Sequence, residues 1–165
     1  MTQEDADRLL RRVIGQARAV KIPVPAAIRP EVALNPRATG RFGCCIRKDG
    51  QFTIELSERM LGAEEWAVMQ TLAHEVLHTC RGCSNHGARW KGYAERMNAA
   101  YGYHIARTDT CEKLGVPDTK KVRYLLVCTQ CGAQVKRSRR SPLVDHPERY
   151  RCRCGGRLER RELDG

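Results

Sequence analysis

Apolar residues recur at helical spacing in three stretches of the chain, and each stretch predicts an amphipathic helix. The first carries Leu9, Leu10, Val13, Ile14 and Ala17. The second carries Trp66, Met69, Leu72, Ala73, Val76 and Leu77, and the third carries Trp90, Tyr93, Ala94 and Met97. Residues 64–78 contain no glycine or proline, so nothing interrupts the second predicted helix.

Residues 31–56, between the first two predicted helices, predict strands. Lys48, Asp49 and Gly50 form the predicted hairpin turn, which joins residues 42–46 to residues 52–56. A short antiparallel sheet beside helices makes the predicted fold class α+β. An edge strand of such a sheet can hold an extended peptide by backbone pairing, which selects unfolded segments. The sequence leaves open which strand lies at the edge.

The second predicted helix carries the HExxH pattern at His74, Glu75 and His78. Residues four apart lie one turn above each other, so both imidazoles can bind one zinc ion while the carboxylate points to one side. Catalytic zinc usually has three protein ligands and a water. His86, at the start of the third helix, is the favoured third ligand, and Glu95 is the alternative. We expect Glu75 to act as the catalytic base.

A second group of candidate ligands lies near the C-terminus, where Cys128 and Cys131 are followed by Cys152 and Cys154. Two short loops that each offer two thiolates can close a tetrahedral zinc site, and the glycines beside them allow tight turns. The alternative is a pair of disulfides. The first residues of the chain are polar and acidic rather than a signal peptide, so we expect reduced thiols in the cytoplasm.

Positive charge is concentrated in the same region. Residues 119–165 have a net charge of +8, compared with +3 for residues 1–118. The candidate nucleic-acid contacts are Lys136, Arg137, Arg139, Arg140, Arg149, Arg151, Arg153 and Arg157. Such density favours a phosphate backbone as the partner, with little sequence preference, and the alternative is a solvated surface. We therefore expect DNA as a partner, and association with the nucleoid if DNA is bound.

His74 to His78, together with residues 85–90 (NHGARW), resembles the SprT-like, Spartan-related zinc metalloproteases. Residues 35–43 and 54–57 are also similar to that family. The resemblance implies a zincin-like fold, His86 as the third zinc ligand, and cleavage of proteins crosslinked to DNA. Residues 1–118 are then the SprT-type catalytic domain and residues 119–165 a basic zinc ribbon, with one catalytic and one structural zinc ion.

Two other functions stay open on the sequence alone. One is a zinc peptidase without a nucleic-acid role, and the other is a non-catalytic zinc-ribbon protein that binds nucleic acid. Retention of Glu75 argues against the second, since a structural site needs no base. We expect a monomer that does not enter membranes, because no apolar run approaches the length of a bilayer span.

Several residues near these motifs have no assigned chemistry. Tyr101, Tyr103 and His104 follow the third predicted helix, and none of them is chosen as an oxyanion donor. The five remaining cysteines are Cys44, Cys45, Cys80, Cys83 and Cys111. Cys44 and Cys45 are neighbours in a strand, so at least one is expected in the core. The pair at 80 and 83 favours a loop over a separate metal site.

Overall fold

The chain forms two units, Met1–Asp118 and Thr119–Gly165, in a computed structural model. The structure describes residues 1–118 and 121–161. Helices and a three-stranded sheet occur in the first unit, and a second three-stranded sheet occurs in the other. The predicted α+β class is therefore confirmed. No helix in the described ranges combines the length and apolar character needed to cross a bilayer.

Helix α1, Gln3–Ala19, opens the first unit and begins with a capping box. The Thr2 hydroxyl accepts a hydrogen bond from the Asp5 N–H, and the Asp5 carboxylate accepts one from the Thr2 N–H. Two backbone donors that the helix cannot satisfy are thus paired. The buried face of α1 consists of the predicted residues together with Ala6.

The first sheet contains β1 (Ile28–Asn35), β2 (Gly43–Lys48) and β3 (Gln51–Ser57) in the order β1-β3-β2. The predicted hairpin between β2 and β3 is present, and its turn residues Asp49 and Gly50 have φ of 50° and 79°. Positive φ at both positions is the geometry of a tight hairpin. β1 pairs with β3 in parallel, so the sheet is mixed rather than antiparallel throughout. β2 therefore lies at an edge.

Helices α2 (Glu65–His78) and α3 (Ala88–Tyr101) pack with α1 and the sheet around one core. The apolar residues predicted for α2 are buried, with one exception. Trp66 is 50% exposed, because it lies in the first turn of α2, where the helix begins at the surface. On α3, Trp90, Ala94 and Met97 are buried, whereas Tyr93 is only partly buried.

The second unit contains β4 (Tyr124–Cys128), β5 (Gln134–Arg137), the short helix α4 (Pro142–Asp145) and β6 (Leu158–Arg161). Its sheet is antiparallel, in the order β5-β4-β6. The buried side chains described in this unit are few, namely those of Leu126, Cys128, Val144 and Leu158. So small a core must be supplemented by another source of stability.

Candidate metal centre

Three imidazoles converge in the first unit. The Nε2 atoms of His74 and His78 are 3.3 Å apart, those of His78 and His86 are 3.2 Å apart, and those of His86 and His74 are 3.0 Å apart. The last turn of α2 supplies the first two residues, and the turn before α3 supplies the third. Glu95, the alternative ligand, is not in this cluster.

The three histidines fit a metal ion. Ligand nitrogens at about 2.0–2.1 Å from a tetrahedral zinc are separated by about 3.4 Å, close to the spacing found here. Nδ1 of His74 contacts the Ala106 carbonyl at 3.0 Å, and Nδ1 of His78 contacts the Cys83 carbonyl at 2.6 Å. Because a carbonyl only accepts, each Nδ1 carries the proton and each Nε2 keeps its lone pair for a metal.

The protonation state of the histidine rings also suits a metal ion. Burial lowers the pKa of His74 to about 4, and burial likewise lowers the pKa of His86. Both rings are therefore neutral near pH 7, which is the form that binds metal. The indole of Trp90, 2% exposed, packs against all three rings, with centroid distances of 4.8, 5.6 and 4.6 Å to His74, His78 and His86.

Glu75 follows His74 on α2 and is directed toward the edge strand β2. Burial raises the pKa of its carboxyl to about 7, while the backbone N–H of Cys45 and the guanidinium of Arg41 oppose that rise. Arg41 also forms an ion pair with Glu55 on the neighbouring strand. A carboxyl group with a pKa near 7 is suited to accept a proton and release it again at neutral pH.

Two side-chain amides that the sequence analysis did not identify bind the backbone of residues 104 and 105, next to Ala106, whose carbonyl contacts His74. Asn98 on α3 binds both backbone groups of Ile105, donating to its O at 3.2 Å and accepting from its N at 2.8 Å. Gln70, 3% exposed and one turn before His74, accepts from the His104 N–H at 3.0 Å. The sequence offered one signal for Gln70, namely its position as a polar residue among the apolar residues of the predicted second helix.

The other candidates near the histidines have different surroundings. The hydroxyls of Tyr101 and Tyr103 donate to the backbone oxygen and the side-chain oxygen of Gln16 at 3.1 and 2.6 Å, so both tie α3 and its exit to α1. Glu95 lines a cavity of about 120 Å³ between α3 and residues 105–107. Neither tyrosine hydroxyl is directed at the imidazole cluster in these contacts.

A second cluster joins all four cysteines of the C-terminal unit. Sγ of Cys128 lies 3.5 Å from that of Cys154, and Sγ of Cys131 lies 3.6 Å from that of Cys152. All four sulfurs lie within 4.8 Å of one another. Thiolates at about 2.3 Å from a tetrahedral zinc are about 3.8 Å apart, so the cluster fits this ion. The single residue between Cys152 and Cys154 does not prevent closure.

The backbone around these sulfurs is arranged for thiolates. The N–H groups of Cys131 and Gln130 lower the pKa of Cys128 to about 6, which favours the form that binds metal. A Cβ at Gly156 would lie 2.6 Å from the Cys128 sulfur, so only glycine allows this close approach. All nine cysteines are free thiols in the structure, and the disulfide alternative has no support.

The cysteines outside this cluster show no third metal site among the described residues. Cys80 and Cys83 are buried in the turn after α2, and Cys45 is partly buried against the core as expected for one of the strand pair. Cys111 accepts a 3.8 Å contact from Arg59. Burial raises the pKa of Cys45 to about 12 and that of Cys80 to about 11, so these thiols are unreactive near neutral pH.

The eight basic residues predicted to contact nucleic acid are all exposed in the second unit. Lys136 and Arg137 lie on β5, and Arg139 and Arg140 follow it. Arg140 donates to Asp145 at 2.9 Å, which neutralises part of its charge. The remaining four are Arg149, Arg151, Arg153 and Arg157, which lie before, within and after the second cysteine loop.

The fold and the two clusters define an α+β protein with two groups of residues that could each bind a metal ion, consistent with zinc. A model of the SprT-like family matches residues 16–111, more than half of the chain, including all three histidines and Glu75. The chain therefore belongs to the SprT-like family, and a metallopeptidase-like function is possible for it. The match ends before the four cysteines, and a search of curated proteins found no match.

Proposed function

We propose that the chain is a zinc-dependent endopeptidase, with residues 1–118 as its catalytic domain and residues 119–165 as a basic zinc ribbon. The observation that carries this proposal is the convergence of the three histidine Nε2 atoms. Glu75, a partly buried carboxylate, directly follows His74 on α2. His74, His78 and His86 would hold the catalytic ion, and the four cysteines would hold a structural one.

The residues divide the chemistry between them. Bound to the histidines, zinc would activate a water molecule and polarise the scissile carbonyl. Glu75 would take the proton of the attacking water on a carboxylate oxygen and pass it to the leaving amine nitrogen. The free edge of β2 lies beside Glu75, where an extended substrate segment could pair with its backbone.

The test of catalysis is proteolysis by the Glu75→Gln protein. We expect loss of cleavage with full zinc content, because the amide cannot accept the proton and the ligands are unchanged. Zinc content is measured by elemental analysis. His86→Ala should lose the first-unit zinc, whereas Glu95→Gln, a control that removes a carboxylate from α3, should keep both zinc and activity. Unchanged proteolysis by Glu75→Gln contradicts the mechanism.

We further propose that the ribbon binds DNA and that the substrates are proteins crosslinked to DNA. Its support is the exposed basic surface on a unit that carries most of the net charge. The informative substrate is a protein linked covalently to single-stranded DNA, compared with the same protein without DNA. Equal cleavage of both would favour a peptidase without a nucleic-acid role.

Binding to DNA is tested separately by neutralising Arg137, Arg139 and Arg140 together. We expect weaker binding and a salt dependence reduced by about two to three released counterions, because each arginine would contact one phosphate and Arg140 is partly neutralised by Asp145. A matched control neutralises three exposed arginines of α1, namely Arg8, Arg11 and Arg18. Binding that is independent of salt, or equally reduced in the control, contradicts a role for the ribbon.

A further inference from the structure

Gly43, the first residue of β2, approaches α2 too closely for any side chain. A Cβ at this position would lie 2.8 Å from Cγ of Glu75, 3.2 Å from its Oε1 and 3.1 Å from Cγ2 of Thr71. Real Cβ atoms essentially never come within 3.0 Å of a neighbour. Gly43 is not among the glycines with positive φ, so its backbone conformation does not demand glycine. A side chain at position 43 would therefore collide with the side chain of Glu75.

The same strand also directs a backbone N–H, that of Cys45, toward the side of β2 where Glu75 lies. The backbone N–H of Ser57 on β3 donates to the Phe42 carbonyl at 2.8 Å. Along β2, residues whose backbone groups face β3 therefore alternate with residues whose backbone groups face away from it. The backbone groups of Cys45, three residues further on, therefore point away from β3. The Cys45 N–H therefore lies on the free edge of β2, where it favours the ionised form of the Glu75 carboxyl and opposes the rise of its pKa on burial.

We propose that Gly43 and the Cys45 N–H form a seat that positions the Glu75 carboxylate, and that Gly43 is a positioning residue for the reaction. This inference rests on the proposed peptidase function. The seat belongs to β2, whereas the metal ligands are oriented by the carbonyls of Ala106 and Cys83. Displacing Glu75 from its seat therefore leaves the three imidazoles in place.

The first test is kinetic and compares Gly43→Ala with Gly92→Ala. Gly92 lies in α3 with no atom within 4 Å of a Cβ, so it is a control for the added methyl group. In Gly43→Ala we expect zinc content and KM to be unchanged and kcat to fall on the order of a hundredfold, because a catalytic group is misplaced. Wild-type kcat, or a raised KM alone, would overturn the proposal.

The second test needs no activity. The full-length chain is unfolded in urea and followed by tryptophan fluorescence, which reports the first unit because Trp66 and Trp90 both lie there. Gly43→Ala should lower the urea midpoint in the wild-type background and lower it much less in a Glu75→Ala background, where Cγ is gone. Equal losses in both backgrounds would refute the contact.

The two tests separate the failure of this inference from the failure of the proposed function. If the wild-type chain shows no Glu75-dependent cleavage, the peptidase proposal fails, and the urea measurements still decide whether Gly43 seats Glu75. If cleavage depends on Glu75 but Gly43→Ala retains full kcat, only the positioning role is wrong.

Discussion

At the scale of single residues, Asn98 supports the candidate metal site indirectly, through the backbone beside Ala106. It binds both backbone groups of Ile105, and the next residue, Ala106, orients His74. We predict that Asn98→Ala lowers stability by about 1–3 kcal/mol, because two backbone groups lose their partner. Metal affinity should also fall by about tenfold, as is usual when the support of a ligand is removed.

Calorimetric zinc titration of the folded protein, beside urea unfolding, separates the two effects. Thr2→Ala, which removes the α1 cap at a cost of about 1 kcal/mol, is the control for lost stability without a change at the histidines. If Asn98→Ala binds zinc as tightly as Thr2→Ala does, Asn98 is structural only.

Residues differ in how far the sequence could identify them, and the reason is physical. His74 and His78 lie in one cluster because of helical geometry, which their spacing encodes. Gly43 and Asn98 have their roles through contacts between distant segments, which no local pattern encodes. The role of Gln70 was partly predictable from the sequence. A polar residue among buried apolar residues indicates that it has a hydrogen-bond partner, but the sequence does not show which residue that partner is.

At the scale of elements, the capping box of α1 couples the stability of the first unit to pH. Hydrogen bonds from the Thr2 backbone, and then from Arg8, lower the pKa of Asp5 to about 2 in the folded protein. The ionised carboxylate therefore stabilises the fold fully above its unfolded pKa of about 4, and this contribution is lost as pH falls through about 2.

We predict that Asp5→Asn lowers the urea midpoint at pH 7, and that its difference from the wild type shrinks as pH falls from about 4 toward 2. Glu4→Gln is the control, because it removes a charge from the same turn and leaves the Thr2–Asp5 pair intact. A difference that does not change with pH would show that Asp5 acts without its ionised carboxylate.

Elements with a local signal were predictable, and the pairing of distant strands was not. Apolar spacing indicated the helices, and Asp49-Gly50 indicated the hairpin, because both depend on neighbouring residues. The parallel pairing of β1 with β3 depends on how the chain crosses between them, so the sequence left the order of strands open. That order places β2 at the edge beside Glu75.

At the scale of the whole molecule, the two units differ in the source of their stability. The first unit has a continuous core formed by α1, the sheet, α2 and α3. Among the described residues of the second, only Leu126, Val144 and Leu158 are buried apolar side chains besides Cys128. Units this small, with so little buried apolar surface, commonly fold only with a bound metal.

We therefore predict that a strong zinc chelator unfolds the second unit and leaves the first one folded. Amide signals of residues 121–161 should collapse to unfolded positions, whereas those of residues 1–118 should stay dispersed. The urea midpoint reported by tryptophan should fall only by the binding free energy lost at the histidines. Cys131→Ser should reproduce the effect on the second unit, and Cys111→Ser, on a thiol outside both clusters, should not. Dispersed signals from residues 121–161 in the zinc-free chain would mean that the three apolar side chains suffice, and that the four thiolates serve something other than folding.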